Sequence, residues 1–176
     1  KIGKKFTFIN NLNSNIKKTS KNNLNVIISK SGNTLETISN SNVILGKNSK
    51  SLFITEDSQN YLMKLAYKLK SEIIEHRNYI GGRYSVLSEV GMVPAELMGL
   101  DIKKFKRLNH LINNKKFMRN IIQNVSAILL FAKRKKNLSV ILNYDESSNK
   151  LFEWYQQLVS ESLGKKSKGI IPLIST

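Results

Sequence analysis

The stretch from Leu24 to Leu69 sets the tightest limit on the fold. Leu24–Ser29 (Leu-Asn-Val-Ile-Ile-Ser) is a β-branched run of strand type, and Lys30–Asn33 breaks it with serine and glycine. Thr34–Leu45 follows with Leu35, Ile38 and Leu45 spaced to share one helical face. Ser51–Thr55 is another short apolar run. Gln59–Leu69 is another helix, with Asp57 or Ser58 as its cap and Leu62, Leu65, Ala66 and Leu69 as its apolar stripe. Strands that alternate with helices, and are apolar runs rather than strict alternators, predict an α/β fold with a parallel sheet buried on both faces.

The same reading extends along the chain. Phe6–Ile9 reads as a short strand, and Ile73–Glu75 as one that enters a turn at Gly81–Gly82. Ser85–Lys136 is helical almost throughout, with Pro94 beginning or kinking one segment. Leu138–Leu142 is again a strand and Leu151–Leu163 a helix, whose Trp154, Tyr155 and Leu158 suit a buried face. The chain starts at Lys1, not Met, and Ile170–Thr176 is an apolar stretch with no closing element, so a piece of a longer protein is expected.

Composition removes several function classes. There is no cysteine, which excludes disulfides and thiolate metal sites and is compatible with a reducing compartment. No His/Cys/Asp cluster is spaced to hold a metal. The longest apolar stretch, Ile128–Ala132, is far short of the roughly 18 residues of a membrane span. A net charge of +17 raises the question of nucleic acid. Yet Lys, Asn and Ile are abundant in every segment. The basic runs Lys103–Arg107, Lys115–Lys116 and Lys133–Lys136 fall in helices and carry few of the aromatics on which single strands stack. The charge reads as a solvated basic surface whose field steers small anions inward, not as a nucleic-acid or membrane contact.

Three constellations carry chemistry. In the first, a strand runs through Ser29-Lys30-Ser31-Gly32-Asn33 into a helix start at Thr34-Leu35-Glu36-Thr37. A helix N-terminus offers free N–H groups and partial positive charge. Ser29, Ser31, Thr34 and Thr37 add hydroxyls that can converge there, and Gly32 lets the backbone turn closely. An anion is the natural ligand. In the second, Gly81-Gly82-Arg83-Tyr84-Ser85 puts an arginine, charged at any working pH and able to donate two bonds to one oxyanion, beside a flexible pair at the start of a helix Val86–Leu97. In the third, Glu161 ends a helix at Glu161-Ser162-Leu163-Gly164-Lys165. A carboxylate facing the negative end of a helix dipole suits a base that shuttles a proton.

These stretches also resemble known ones. Ser29–Thr37 is similar to the phosphate loop of the sugar isomerase (SIS) fold, with Ser31 standing where many members have threonine. Ile80-Gly81-Gly82-Arg83-Tyr84-Ser85-Val86-Leu87-Ser88-Glu89-Val90-Gly91 resembles one signature of the glucose-6-phosphate isomerase family. Glu153-Trp154-Tyr155-Gln156-Gln157-Leu158-Val159-Ser160-Glu161-Ser162-Leu163-Gly164-Lys165 resembles its second. The resemblance implies a parallel-sheet three-layer sandwich of the SIS type, with residues 1–84 ending a first subdomain and 85–176 providing a helical connection and the start of a second. It implies reversible isomerisation of glucose 6-phosphate and fructose 6-phosphate through a cis-enediolate, without metal or cofactor, in the cytoplasm. Glu161 is then the general base and Arg83 stabilises the enediolate. Ser29, Lys30, Ser31, Thr34, Thr37 and the Gly82 backbone contact the substrate.

It further implies a homodimer when complete, a Gly-rich ligand contact upstream of Lys1, a ring-opening histidine past a Ser-Thr pair like Ser175-Thr176, and a lysine near the C-terminus. The segment alone is then inactive. His76, at a helix or strand end, and His110, on a surface helix, match no catalytic position. Three alternatives stay open: a non-catalytic sugar-phosphate sensor on the same fold, a basic nucleic-acid binder, which steeply salt-dependent binding with sequence preference would support, and an isomerase that also accepts mannose 6-phosphate.

Overall fold

A computed structural model describes residues 5–12, 15–16, 18, 22–166 and 168–175, and for Lys106 the backbone alone. Lys1–Lys4 and Thr176 therefore lie outside the described residues. The chain forms two compact units, Lys1–Phe105 and Lys106–Thr176. The position between Tyr84 and Ser85, where the sequence reading divides the subdomains, lies in a 3₁₀ turn, Gly82–Leu87.

In the first unit, strands β1 (Leu24–Ile28), β2 (Lys50–Thr55) and β3 (Glu72–Glu75) lie parallel in the order β1-β2-β3. Helices α1 (Leu35–Ile44) and α2 (Tyr61–Leu69) are the crossovers. The central strand β2 is buried hardest: Phe53, Ile54 and Thr55 are fully covered. Phe53 packs with Ile27, Leu62 and Ala66, and Ile38, Leu45, Leu65, Leu69 and Ile73 close around them. The α2 stripe thus faces the core. Ile38 of α1 and Leu45, its C-cap, do so, whereas Leu35 stays exposed because it opens the helix next to the loop.

Several local expectations are corrected. Phe6–Ile9 forms no strand among the described residues, and its apolar side chains are exposed. Asn60 caps α2, not Asp57 or Ser58, because the chain bends first through Ser58 N–H to the Glu56 carbonyl and Asn60 N–H to the Ser58 carbonyl. The helical stretch from Ser85 is also divided. The 3₁₀ turn Gly82–Leu87 leads to α3 (Glu89–Leu97), then α4 (Ile102–Lys106), a second 3₁₀ turn (Arg107–Leu111) that carries exposed His110, and α5 (Lys115–Lys133). Ser88 and Asn114 restart α3 and α5 as N-caps. Pro94 lies inside α3, so it does not begin a helix.

The second unit is a βαβ element: β4 (Leu138–Leu142), helix α6 (Asn149–Leu163) and β5 (Ile171–Ser175), with β4 and β5 parallel. The apolar ending near Ile170 is thus a paired strand. Gln156 Nε2 donates to the Pro172 carbonyl at 2.7 Å and fastens α6 over β5. The expected buried face of α6 is only partly formed: Tyr155 and Leu158 are half-buried, while Trp154 is exposed. Among the described residues no helix is long and apolar enough to cross a membrane.

Candidate active site

The loops that leave the carboxyl ends of β1, β2 and β3 meet one another, and in open parallel sheets ligands bind at that end. The ladder runs past the strands. Ser29 N–H donates to the Ile54 carbonyl at 3.1 Å, Glu56 N–H to the Lys30 carbonyl at 3.0 Å, and His76 N–H to the Thr55 carbonyl at 2.8 Å. The backbone at the root of each loop is therefore as fixed as the sheet.

Buried Ser29 and the first helical boundary residue, Thr34, share a hydroxyl–hydroxyl bond of 2.7 Å across the loop. Thr34 is the N-cap of α1, yet its side chain makes no cap bond. With the Thr34 hydroxyl turned to Ser29, no side chain among the described residues caps the first N–H groups of α1. Ser31 Oγ accepts from Asn33 N–H at 3.3 Å within the turn, and half-buried Thr37 sits in the first turn of α1. The sequence grouped four hydroxyls; the structure joins Ser29 to Thr34 and uses Ser31 to brace the bend.

Gly32 has φ +63°, and a Cβ there would lie 2.0 Å from Asn60 Oδ1. Both its backbone and the space under it require glycine. Asn60 was not singled out in the sequence, yet it supports the whole loop. It is 3% exposed, accepts from Met63 N–H at 2.8 Å, and its amide reaches Thr55 Oγ1, the Glu56 carbonyl and Ser58 Oγ. Thr55 Oγ1 in turn donates to the Lys30 carbonyl at 3.2 Å. The signal that could have found Asn60 was its helix-capping type directly before Tyr61. That it also fills the space below Gly32 is a long-range contact that no local pattern encodes.

Lys30 points across to the Gly-Gly-Arg segment. Its ammonium donates to the carbonyls of Asn78 and Ile80, each at 2.8 Å, and lies 3.2 Å from a Glu56 carboxylate oxygen. Three acceptors match its three protons. In the segment it grips, Ser85 Oγ donates to the Gly82 carbonyl at 2.7 Å and Ser88 Oγ to the Ser85 carbonyl at 2.7 Å. Gly91 lets α3 pack onto this turn, since a Cβ there would lie 2.0 Å from the Val86 carbonyl oxygen. A Cβ at Gly82, by contrast, meets no atom within 4 Å. The fold leaves that position open on the exposed side of the turn. Arg83 is half-buried beside it.

His76 and Glu89 bracket the same segment. His76 is 1% exposed, and its Nδ1 is hydrogen-bonded to Glu89 Oε1, which also accepts from Arg77 N–H at 3.3 Å. Burial works to raise the Glu89 carboxyl, but bonds from its own backbone N–H, from His76 and from Arg77 overcome it and hold the group below the ordinary glutamate value. The sequence placed His76 at a helix or strand end, and it directly follows β3; its burial and its partner were not foreseen.

A profile of the family described as Phosphoglucose isomerase matches residues 7–170. The chain belongs to this family. Among relatives, glucose-6-phosphate isomerase of Methanocaldococcus jannaschii is 37% identical over 161 residues, covering 85% of this chain and 40% of that one. The enzyme of the same name from Mycoplasmopsis pulmonis is 31% identical over 162 residues, with 83% and 38% covered. The chain thus spans about two fifths of the length of these curated relatives. A solved structure of a hypothetical protein from Thermus thermophilus superposes with a TM-score of 0.67 at 24% identity, over 85% of this chain and 40% of that one, which supports the α/β fold.

Glu161 and the stretch Glu153–Lys165 lie in the other unit. Glu161 sits in the last turn of α6, exposed, with Gln157 Nε2 donating to its Oε1 at 2.9 Å. Helix α6 stops at Gly164, whose N–H returns to the Ser160 carbonyl at 2.8 Å. A Cβ at Gly164 would lie 2.4 Å from that same oxygen, so the tight ending needs glycine.

Proposed function

We propose that the protein carrying this chain interconverts glucose 6-phosphate and fructose 6-phosphate. Family membership supports the reaction. The single observation that carries the reading is the loop Ser29–Thr37: a helix start left without a side-chain cap, with the Ser29 and Thr34 hydroxyls tied together over it, at the carboxyl end of a parallel sheet. In this reading the phosphate is held there by Ser29, Ser31, Thr34, Thr37 and the N–H groups of α1. Lys30 contributes charge behind the loop. The open backbone at Gly82 receives the sugar chain.

Glu161 removes the proton from C2 of the open aldose. The C–H electron pair becomes the C1–C2 double bond, and the carbonyl electrons move onto O1. Arg83 stabilises this enediolate. The proton returns to C1, the O2 proton passes to O1, and the ketone forms at C2, so atoms balance without any co-reactant. A positioned base supplies roughly 10²–10⁴-fold, and a well-aimed charged donor to the oxyanion about 3–4 kcal/mol. The finer parts of the reading are a homodimer, a cytoplasmic location and a two-subdomain SIS architecture divided near residue 84.

Glu161→Gln in the intact protein tests the roles. Turnover should fall by at least about 10²-fold while calorimetry with inorganic phosphate or fructose 6-phosphate still reports binding. Undiminished turnover removes Glu161 as the base. An intact wild-type protein that binds hexose phosphate without converting it would be a sugar-phosphate sensor.

A further inference from the structure

His76 is an odd residue to find where it is. The ladder bond from its N–H to the Thr55 carbonyl fixes it in line with β3, and its ring is sealed from solvent. One ring nitrogen, Nδ1, meets the Glu89 carboxylate. The other, Nε2, is buried and has no hydrogen-bond partner among the described residues. The arrangement selects a tautomer: a proton on Nδ1 donates to Glu89, and a bare Nε2 lone pair is the least unfavourable group to leave unmatched. An apolar side chain of similar size would fill the same space without that unsatisfied atom. Stability alone therefore does not account for a histidine here.

What the pair does is close a loop. Residues 77–88 leave the sheet at His76 and return at Glu89, the first residue of α3, and these two ends are bonded to each other. Glu89 holds the exit a second time through Arg77 N–H. Inside the closed loop, Lys30 fixes the carbonyls of Asn78 and Ile80, and Ser85 and Ser88 lock the 3₁₀ turn that carries Arg83. A loop whose ends are joined has lost most of the freedom that would blur an arginine at its tip. We infer that His76 and Glu89 are positioning residues: a buried clasp that sets the Gly81-Gly82-Arg83 turn for the reacting atoms while the neighbouring phosphate loop does the binding.

This inference rests on the role proposed for Arg83, and its test separates the two. In the intact protein, Glu89→Ala should lower kcat for fructose 6-phosphate by about 10- to 100-fold, the scale for a catalytic group displaced by about 1 Å. KM should stay within about twofold because the phosphate loop is untouched. Glu89→Gln keeps an acceptor for both His76 and Arg77 N–H and should recover most of kcat. Glu89→Asp keeps the charge at the start of α3 but withdraws the carboxylate, so it should fall between, and it serves if the alanine variant does not fold. Hydrogen exchange reads the clasp without any turnover: amides of Arg83–Val86 should exchange at least about 10-fold faster in the aspartate variant. A lowered Tm with kcat and exchange at Arg83–Val86 unchanged would mean a merely structural pair and overturn the inference. If Arg83→Lys keeps full turnover, the role of Arg83 fails instead, and the exchange rates still decide whether the clasp exists.

Discussion

The two units are built from the same alternation of strand and helix, yet they differ in how far they close. The first has a core: β2 is sealed on both faces, and Leu62 and Ala66 of α2 are fully buried. In the second, no residue of α5 or α6 is fully buried among the described residues. β4 is half-buried or exposed all along, with Leu138, Val140 and Leu142 on its open face. The closed unit holds a site whose geometry is braced from every side, at Ser29–Thr34, Lys30–Asn78 and His76–Glu89. The open unit presents Glu161 at a helix end, steadied by Gln157. On the proposed reading, binding and charge stabilisation would fall to rigid surroundings, and the proton carrier to an exposed helix terminus.

The comparison breaks most easily at the cores. Phe53→Ala should cost the first unit about 3–5 kcal/mol, the range for an aromatic emptied from a packed core. Val140→Ala in the second should cost under about 1 kcal/mol because that face is already open. Urea unfolding of both variants checks this, and equal losses would mean that the second unit closes in solution.

A smaller effect sharpens the division between binding and catalysis. Thr34→Val keeps the shape and, since the hydroxyl makes no cap bond, leaves α1 intact. It should weaken hexose-phosphate binding by about 1.5–3 kcal/mol, the value of one bond to a charged group, and lower Tm somewhat because buried Ser29 loses its hydroxyl partner. Titration calorimetry measures it, and unchanged affinity would take Thr34 out of the site.

The smallest effect expected is in acid. The Glu89 carboxyl is held below its ordinary value, so its contribution to stability is fully present above that value and is lost as pH falls through the depressed one. The stability gap between wild type and Glu89→Gln should therefore be widest near neutral pH and shrink toward pH ~3. Denaturant midpoints at several pH values test this; a gap that widens in acid has the wrong sign.

How much of this was legible depended on distance along the chain. The strand–loop–helix at Leu24–Ile44 and the strand at Leu138–Leu142 could be read because their signals are local: β-branched runs, a glycine break, a helical period. Phe6–Ile9 shows the limit, since an apolar alternation becomes a strand only when another strand pairs with it, and none does among the described residues. Ile171–Ser175 is the converse: a short stretch that looked unfinished is a strand because β4, far earlier in the chain, supplies its partner. At the site, the hydroxyls and Gly32 were visible from residue type. The grip of Lys30 on the carbonyls of Asn78 and Ile80, the fit of Asn60 under Gly32 and the pairing of His76 with Glu89 were not, because each joins segments that only the folded sheet brings together.

The central claim is proton transfer between C2 and C1 through an enediolate. The most direct measurement is conversion of fructose 6-phosphate by the intact protein in deuterium oxide, followed by NMR of the product. The account predicts glucose 6-phosphate carrying deuterium at C2, with the exchange lost in Glu161→Gln. Product whose C2 hydrogen comes neither from solvent nor, with C1-deuterated substrate in ordinary water, from C1, or no product from a folded protein that binds the sugar phosphate, would contradict it.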